Sequence, residues 1–170
     1  MKALITGASS GIGREFALYL AELGYDLIIC ARSTDKLNAL KDEIKNVSVR
    51  VITIDLSHEV DAIDLYEHLR EENIDVLINN AGFGAFGKFL DVPLERELEL
   101  IHTNVSSLHI LTKRFLKDMH EQGSGLILNV GSMAGFSAGP KLSSYYASKN
   151  YVVRLTQAIH EEWRRDGSKV

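Results

Sequence analysis

A glycine-rich turn directly after the first apolar run is the feature that most constrains what this chain can fold into. Lys2–Thr6 is predicted to be a short strand, residues 7–13 spell GASSGIG, and residues 14–23 carry apolar side chains at helical spacing. Glycines let such a turn approach a pyrophosphate closely, and the positive end of the following helix stabilises phosphate charge. An ordinary strand–helix connection is the alternative. The residues expected to contact a nucleotide here are Gly7, Ser9, Ser10, Gly11, Ile12 and Gly13.

The rest of the chain alternates short β-branched runs with longer stretches of helical spacing. The predicted strands are residues 2–6, 26–31, 47–56, 75–79 and 125–130, and the predicted helices are residues 14–23, 34–45, 57–72, 93–122 and 143–165. Ser33 and Ser57 are expected to cap the second and third helices, and the long fourth helix is expected to break near Asn104. Strands joined by crossover-length helices form a parallel sheet covered on both faces. The predicted fold is therefore α/β, a doubly wound, Rossmann-like sheet in a single domain over residues 1–170.

Composition and charge exclude several classes of function. The formal net charge of −4 offers no basic field to a nucleic acid or an anionic membrane. The N-terminal apolar run of three residues is too short for a signal peptide, and no apolar stretch approaches the length of a membrane span. Cys30 is the only cysteine, which rules out a disulfide within the chain and favours a reducing, cytoplasmic location. The six histidines form no ligand-spaced cluster, so no metal is expected.

The end of the second predicted strand indicates which dinucleotide is preferred. An acidic residue at this position holds the adenosine ribose hydroxyls of NAD, but this strand ends in Arg32, with no carboxylate at its tip. A guanidinium can bind the 2′-phosphate of NADP through two charge-assisted hydrogen bonds, and Ser10 and Ser33 can add hydroxyl donors. NADP is thus favoured over NAD, unless Arg32 is merely a solvated loop cation. Asp55, after the third strand, either accepts a hydrogen bond from the adenine amine or caps the helix near Ser57.

Tyr145 and Lys149 lie four residues apart on a predicted helix and therefore share one face. A phenol ordinarily titrates near 10, and a neighbouring ammonium lowers its pKa towards the range where proton transfer at neutral pH is efficient. A solvated pair is the alternative. Ser132, Asn104 and the NNAG run of residues 79–82 follow strands or interrupt a helix near the same sheet edge, although each also has an interpretation as a cap or turn.

Together these motifs resemble the short-chain dehydrogenase/reductase family over essentially the whole chain. The matching segments are TGASSGIG (6–13), Asp55 with Leu56, NNAG (79–82), Asn104, Ser132 and YYASK (145–149). The resemblance implies an oxidoreductase that transfers hydride between NADP(H) and a small-molecule carbonyl or alcohol. It implies that Tyr145 is the acid/base, that Lys149 lowers the pKa of Tyr145 and binds the nicotinamide ribose, and that Ser132 orients the substrate. Asn104 would hold a relay water, and the further cofactor contacts would be Asp55, Leu56, Asn80, Ala81 and Gly82.

The sequence departs from the family's pattern at its C-terminal end. Family members continue into a sixth strand, a loop over the cofactor and a substrate lid, so the chain is expected to be a C-terminally shortened form with an apolar, unpaired fifth-strand edge. A homodimer through the two long helices (residues 95–122 and 143–165) is expected, as in the family. The alternative to a shortened chain is that a partner subunit covers the fifth-strand edge. The competing interpretations of the function are a cofactor-binding but catalytically idle module and a purely structural fragment that binds nothing.

Overall fold

The computed structural model describes residues 1–165 and 167–170. Within them, the strands are β1 (Lys2–Thr6), β2 (Asp26–Ala31), β3 (Val49–Thr53), β4 (Val76–Asn79) and β5 (Leu126–Asn129). The helices are α1 (Gly11–Glu22), α2 (Thr34–Glu43), α3 (Glu59–Leu69), α4 (Leu94–Ile101), α5 (Leu108–Gln122) and α6 (Ser143–Arg165). A π-helical turn (His102–Ser107) joins α4 to α5, and a 3-10 turn (Met133–Phe136) precedes α6.

The strand order of the sheet determines where a ligand can bind. All strands are parallel and lie in the order β3-β2-β1-β4-β5. The chain moves outward from β1 to β3 and then returns to β4 on the other side of β1, so the order reverses between β1 and β4. In open parallel sheets a ligand crevice forms at the carboxyl ends of the strands, at such a reversal. The glycine-rich turn after β1 and the NNAG run at the end of β4 therefore border the same crevice.

The hydrophobic core lies on both faces of the sheet. Ile5 belongs to a buried cluster with Ala17 of α1 and Leu37 of α2. The preceding residue of β1, Leu4, belongs to a second cluster with Phe115 of α5. Neighbouring side chains of a strand point to opposite faces, so these uninterrupted apolar strands have both faces covered by helices. Burial of each large apolar side chain contributes about 1.5–3 kcal/mol relative to exposure. The predicted doubly wound α/β sheet is confirmed.

Two predictions about helix starts need correction. Helix α1 begins at Gly11, three residues before the predicted start, so Gly11 and Gly13 belong to its first turn rather than to a preceding loop. The prediction that Ser57 caps α3 is wrong, because α3 begins at Glu59 with His58 at the N-cap position. The Ser57 amide instead donates to Asp55 Oδ1 over 3.0 Å, which fixes residues 55–57 as a turn. Ser33 does occupy the N-cap position of α2, although its side chain makes no capping hydrogen bond.

The break predicted near Asn104 is a π-helical turn of six residues centred on that position. Single π turns inside longer helices widen the helix locally and are frequent at functional sites. Strand β3 ends at Thr53 instead of the predicted residue 56, which leaves residues 54–56 free to turn towards the crevice. The 3-10 turn at Met133–Phe136 lies in a segment predicted to be loop.

Strand β5 lies at the edge of the sheet and, in the part of the chain that the structure describes, pairs with β4 alone. Its side chains Leu126 and Leu128 are 54% and 36% exposed, so one face of this edge strand is apolar and open. This agrees with the expected apolar edge. Among the described residues, no helix is both long enough and apolar enough to cross a membrane.

Candidate active site

The glycine-rich turn is held against β4 by the residues at the two strand ends. The Thr6 hydroxyl accepts hydrogen bonds from the amides of Asn80 and Ala81, both at 3.0 Å. The Asn80 side-chain amide donates to the carbonyls of Thr6 and Gly7, at 3.0 and 3.1 Å. The Asn80 side chain thus holds the first residues of the turn against the end of β4. Thr6 was not among the predicted site residues, although its place as the last residue of β1 could have indicated it.

Glycine is required in this turn for two different reasons. Gly7 has φ +66°, and a Cβ there would lie 2.8 Å from Ala81 Cα, closer than packed atoms tolerate. Gly11 has φ +56° with no atom within 4 Å of an added Cβ, so the backbone conformation alone selects glycine there. A Cβ on Gly13 would meet the Gly7 carbonyl oxygen at 2.5 Å. The turn is therefore tightly packed against the residues after β4, and it leads directly into the N-terminus of helix α1.

A cavity of about 480 Å³, which we call the strand-end cavity, lies at the carboxyl ends of the strands. The predicted site residues that line it are Gly7, Ser9, Ser10, Ile12, Arg32, Asp55, Leu56, Asn80, Ala81, Gly82, Tyr145 and Lys149. Four predicted site residues do not line it, Gly11, Gly13, Asn104 and Ser132, and neither does Ser33, which was expected to add a hydroxyl donor. Lining residues that the sequence analysis missed are Ala31, Ile54, Phe83, Gly84, Thr103, Val130 and Gly131. Of these, Ala31, Val130 and Gly131 lie at or next to a predicted strand end, which was the signal available.

Arg32 and Asp55 form the mouth of the strand-end cavity beyond β2 and β3. Arg32 Nη1 lies 3.9 Å from Asp55 Oδ2, and the Arg32 side chain is 60% exposed. Burial raises the pKa of the Asp55 carboxyl, but hydrogen bonds from Ser57 and the positive charges of Arg32 and His58 outweigh it, so the pKa lies below its usual value. An exposed ion pair this long holds neither partner firmly. The guanidinium thus remains available to an anionic ligand.

Lys149 is the one lysine buried among the described residues, at 6% exposure, and its Nζ donates to the Val130 carbonyl over 2.7 Å. Burial lowers the pKa of this ammonium group. Tyr145 lies one helical turn earlier on α6 and lines the same cavity. Both side chains border the glycines after β4: a Cβ on Gly82 would lie 3.7 Å from Lys149 Nζ, and one on Gly84 would lie 3.5 Å from the Tyr145 ring. The structure therefore brings the phenol and the ammonium to one wall.

Asn104 is buried, and its side chain is fully used by protein contacts. Its Oδ1 accepts from the Phe83 amide at 3.1 Å, and its Nδ2 donates to the Phe83 carbonyl at 2.9 Å and to Ser148 Oγ at 3.1 Å. The amide group thereby fastens the segment after β4 to the π turn and to α6. Each polar atom of the Asn104 side chain thus already has a protein partner, and the relay water expected at Asn104 stays a prediction.

Ser132 caps the 3-10 turn, so the cap interpretation of this residue is correct. Its Oγ accepts from the Ala134 amide at 3.1 Å. The contact uses an oxygen lone pair and leaves the hydroxyl hydrogen free to be donated. Ser132 does not line the strand-end cavity but follows its lining residue Gly131 directly. Within the part of the chain described, no cluster of three His, Cys, Asp or Glu side chains could hold a metal ion.

This fold and site define a doubly wound α/β protein with a tyrosine–lysine pair at the carboxyl ends of its strands. A family model described as short chain dehydrogenase matches residues 1–170. The chain belongs to this short-chain dehydrogenase family.

The similar proteins include one named as a hydroxysteroid dehydrogenase and one named as a 3-oxoacyl-CoA reductase. Human 17-beta-hydroxysteroid dehydrogenase type 3 is 35% identical over 172 residues, which are 95% of this chain and 54% of the relative. Very-long-chain 3-oxoacyl-CoA reductase of Mus musculus is 35% identical over 176 residues, 97% of this chain and 55% of the relative. The chain thus spans about half the length of these relatives.

A solved structure shows the same architecture with a nucleotide bound. A short-chain dehydrogenase from Sphingobium yanoikuyae in complex with NADPH superposes with a TM-score of 0.90 and 36% sequence identity. The match covers 98% of this chain and 66% of that one. The fold of the described residues is therefore the Rossmann-like fold of this family.

Proposed function

We propose that the protein is an NADPH-dependent oxidoreductase that interconverts a carbonyl compound and its alcohol. One observation carries the proposal: Tyr145 and Lys149 line the same cavity as the glycine-rich turn, with the Lys149 ammonium buried beside the glycines that follow β4. A proton donor and its cation thus face the space that the turn leaves open. The family to which the chain belongs supports the same reaction class.

The residues of the strand-end cavity fit a nicotinamide dinucleotide. The turn lies at a helix N-terminus and lines the cavity with Gly7, Ser9, Ser10 and Ile12, which suits a pyrophosphate. Arg32 and the Ser10 hydroxyl at the mouth suit a 2′-phosphate, and Asp55 suits the adenine amine. At the other end, Lys149 suits the nicotinamide ribose. When bound, NADPH supplies the hydride.

The chain's own residues would supply the proton. Tyr145 donates its phenolic proton to the carbonyl oxygen as hydride reaches the carbonyl carbon, and the Lys149 ammonium stabilises the phenolate that remains. The products are the alcohol and the oxidised cofactor, and the phenol recovers a proton from solvent. Ser132 donates its free hydroxyl hydrogen to the same oxygen. Asn104 keeps the segment after β4 in place beside both groups.

The loops after β4 and β5 favour a substrate with an apolar body, although their exposed apolar side chains do not line the strand-end cavity itself. Two loops meet beside the site, where the Gly87 amide donates to the Lys141 carbonyl at 2.9 Å. The large apolar side chains that these loops leave exposed are Phe86, Phe89, Leu90, Met133 and Phe136. Phe86 and Met133 are 75% and 84% exposed. The similar proteins named for a steroid and a very long acyl chain support the same class.

A homodimer through α4, α5 and α6 is part of the proposal. The apolar side chains exposed on these helices are Leu94, Leu98, Ile101 and Tyr151. Sedimentation velocity of the protein against Leu98→Asp tests it, since a charge at a dimer interface would shift the protein to monomer. A cytoplasmic location remains a prediction of the sequence.

The experiment that tests the function separates binding from turnover. NADPH and NADH are titrated by fluorescence, and NADPH oxidation is then followed with a panel of ketones. Turnover that Tyr145→Phe reduces by about 10²–10⁴-fold, with NADPH affinity kept, supports the proposal. Tyr146→Phe is the matched control, because the Tyr146 ring packs against Gly139 and does not line the cavity. NADPH binding without turnover on any ketone would instead identify a cofactor-binding, catalytically idle module.

A further inference from the structure

A buried polar network connects the last residues of β4 and β5 to helices α5 and α6. Asn79 Nδ2 donates to Asn129 Oδ1 at 2.9 Å and to Thr112 Oγ1 at 3.0 Å. Thr112 Oγ1 donates to Asn129 Oδ1 at 3.1 Å, and Asn129 Nδ2 donates to Thr156 Oγ1 at 3.0 Å. Thr156 Oγ1 in turn donates to the Val152 carbonyl at 2.8 Å. None of these side chains lines the strand-end cavity, so ligand binding does not explain the network.

Asn129 is the branching point of the network and stands at a weak place in the sheet. It is the last residue of β5, a strand of four residues that pairs with β4 alone among the described strands. Short edge strands fray most easily at their ends. The Asn129 side chain holds this end on two sides, to β4 through Asn79 and to α6 through Thr156. Removing one member would leave buried polar atoms unpaired, which costs more than the hydrogen bond itself contributes.

The residue after Asn129 carries the carbonyl that binds Lys149. The Val130 amide donates to the Asn79 carbonyl at 2.9 Å, the last ladder bond between β4 and β5. The Val130 carbonyl accepts from Lys149 Nζ at 2.7 Å. Lys149 and Thr156 lie on α6, seven residues and therefore two turns apart. The Asn129–Thr156 hydrogen bond consequently sets how far the Val130 carbonyl stands from the helix that carries Lys149.

We propose that Asn129, through its hydrogen bond to Thr156, is a positioning residue that holds the Val130 carbonyl against the Lys149 ammonium group. The role assigned to Lys149 rests on the proposed function, but the positioning itself is a property of the fold. Thr112 belongs to the same network and makes as many hydrogen bonds as Thr156, yet it lies on α5 and has no link to α6. The two threonines therefore separate a positioning effect from a general loss of stability.

The test compares Thr156→Val with Thr112→Val. Each substitution keeps the side-chain volume and removes two hydrogen bonds, and because Thr112 is buried and Thr156 half-buried, Thr112→Val is expected to lose at least as much stability as Thr156→Val. The readout is the hydrogen-exchange rate of the Lys149 ammonium, measured by NMR on 15N-lysine-labelled protein and assigned with Lys149→Arg. We expect exchange to accelerate about tenfold or more in Thr156→Val, as the ammonium loses its fixed acceptor, and to stay within about twofold of wild type in Thr112→Val. Thr156→Ser, which keeps the hydroxyl, should restore the wild-type rate.

Equal exchange rates in the two valine variants, whether both raised or both unchanged, would overturn the proposal. If Thr156→Val does not fold, Thr156→Ala and Thr112→Ala remove the same hydroxyls without placing a methyl group against the network and are compared in the same way. Turnover is a separate readout: we expect kcat to fall about tenfold in Thr156→Val with NADPH affinity unchanged. A wild-type protein that turns over no ketone refutes the proposed function, whereas the exchange rates still decide the positioning.

Discussion

Arg32 and Asp55 face each other across the mouth of the strand-end cavity, with 3.9 Å between Nη1 and Oδ2. Arg32 directly follows β2, and Asp55 follows β3 by two residues. Because β2 and β3 are neighbouring strands whose last residues pair, the register of the sheet brings the two side chains together. The Arg32 guanidinium can bind a phosphate. The negative charge of the Asp55 carboxylate opposite it limits how strongly that phosphate is held. The pair therefore sits where the adenosine end of a dinucleotide would be discriminated.

Arg32→Asp should reverse the nucleotide preference. The substitution removes a bidentate phosphate donor and places a second carboxylate next to Asp55. We expect NADPH affinity to fall at least about tenfold, with NADH affinity unchanged or improved, in parallel fluorescence titrations. Arg70→Asp is the control, because Arg70 is exposed but does not line the cavity. Unchanged NADPH affinity in Arg32→Asp would contradict the assignment of Arg32.

Gly11→Ala and Gly24→Ala should separate backbone strain from cofactor binding. Both glycines have positive φ, +56° and +83°, with no atom within 4 Å of an added Cβ. Each substitution should lower the free energy of unfolding by about 1–2 kcal/mol, measured by urea denaturation. Only Gly11 begins the helix that faces the cavity, so only Gly11→Ala should also weaken NADPH binding, by about tenfold or more. Equal NADPH affinities in the two variants would place the phosphates elsewhere.

The burial of Lys149 predicts how stability depends on pH. Because burial lowers its pKa, the folded protein releases this proton at a lower pH than the unfolded chain does. Between the folded pKa and the unfolded value of about 10.4, the unfolded state binds more protons, so stability rises with pH. We expect the free energy of unfolding of wild type, minus that of Lys149→Met, to be flat below the folded pKa and to increase from there towards pH ~10.4. Urea titrations at stepped alkaline pH measure it, and a difference that stays flat or falls with pH would contradict a lowered pKa of Lys149 in the folded protein.

The exposed apolar side chains of the loops after β4 and β5 predict that longer ketones bind more tightly. In a series of methyl n-alkyl ketones, each buried methylene should improve KM by up to about fourfold, because its burial contributes about 0.8 kcal/mol. The double variant Phe86→Ser, Met133→Gln should remove most of this gain. Tyr19→Ser, which replaces an exposed aromatic residue on α1 outside these two loops, should leave the gain unchanged. Affinity that does not vary with chain length would remove the argument for an apolar substrate.

Local sequence was sufficient for the elements whose signals are independent of distant contacts. The bounds of β1, β2 and α6 agree with the prediction, since apolar runs and helical spacing are properties of adjacent residues. The placement of Tyr145 beside Lys149 follows from helical geometry, and the meeting of the residues after β1 and β4 follows from parallel strand order. The predicted cofactor residues after these strands accordingly line the cavity. Gly11 and Gly13 are the exceptions: they lie in the first turn of α1, where glycine is needed for the backbone conformation and the close packing of the turn.

What local patterns could not determine is what a polar side chain binds. The sequence marked Asn104 and Ser132 as polar residues near the strand ends, but only the assembled fold shows Asn104 fastened to Phe83 and Ser132 capping the 3-10 turn. Nothing near Asn129 in the chain indicates that it joins Thr156, 27 residues away. Backbone preferences are set by neighbours in sequence and hydrogen-bond partners by neighbours in space. The amino-acid sequence by itself therefore determined the strands, the helices and the class of site, and the tertiary structure decided which side chains remain free to meet a ligand.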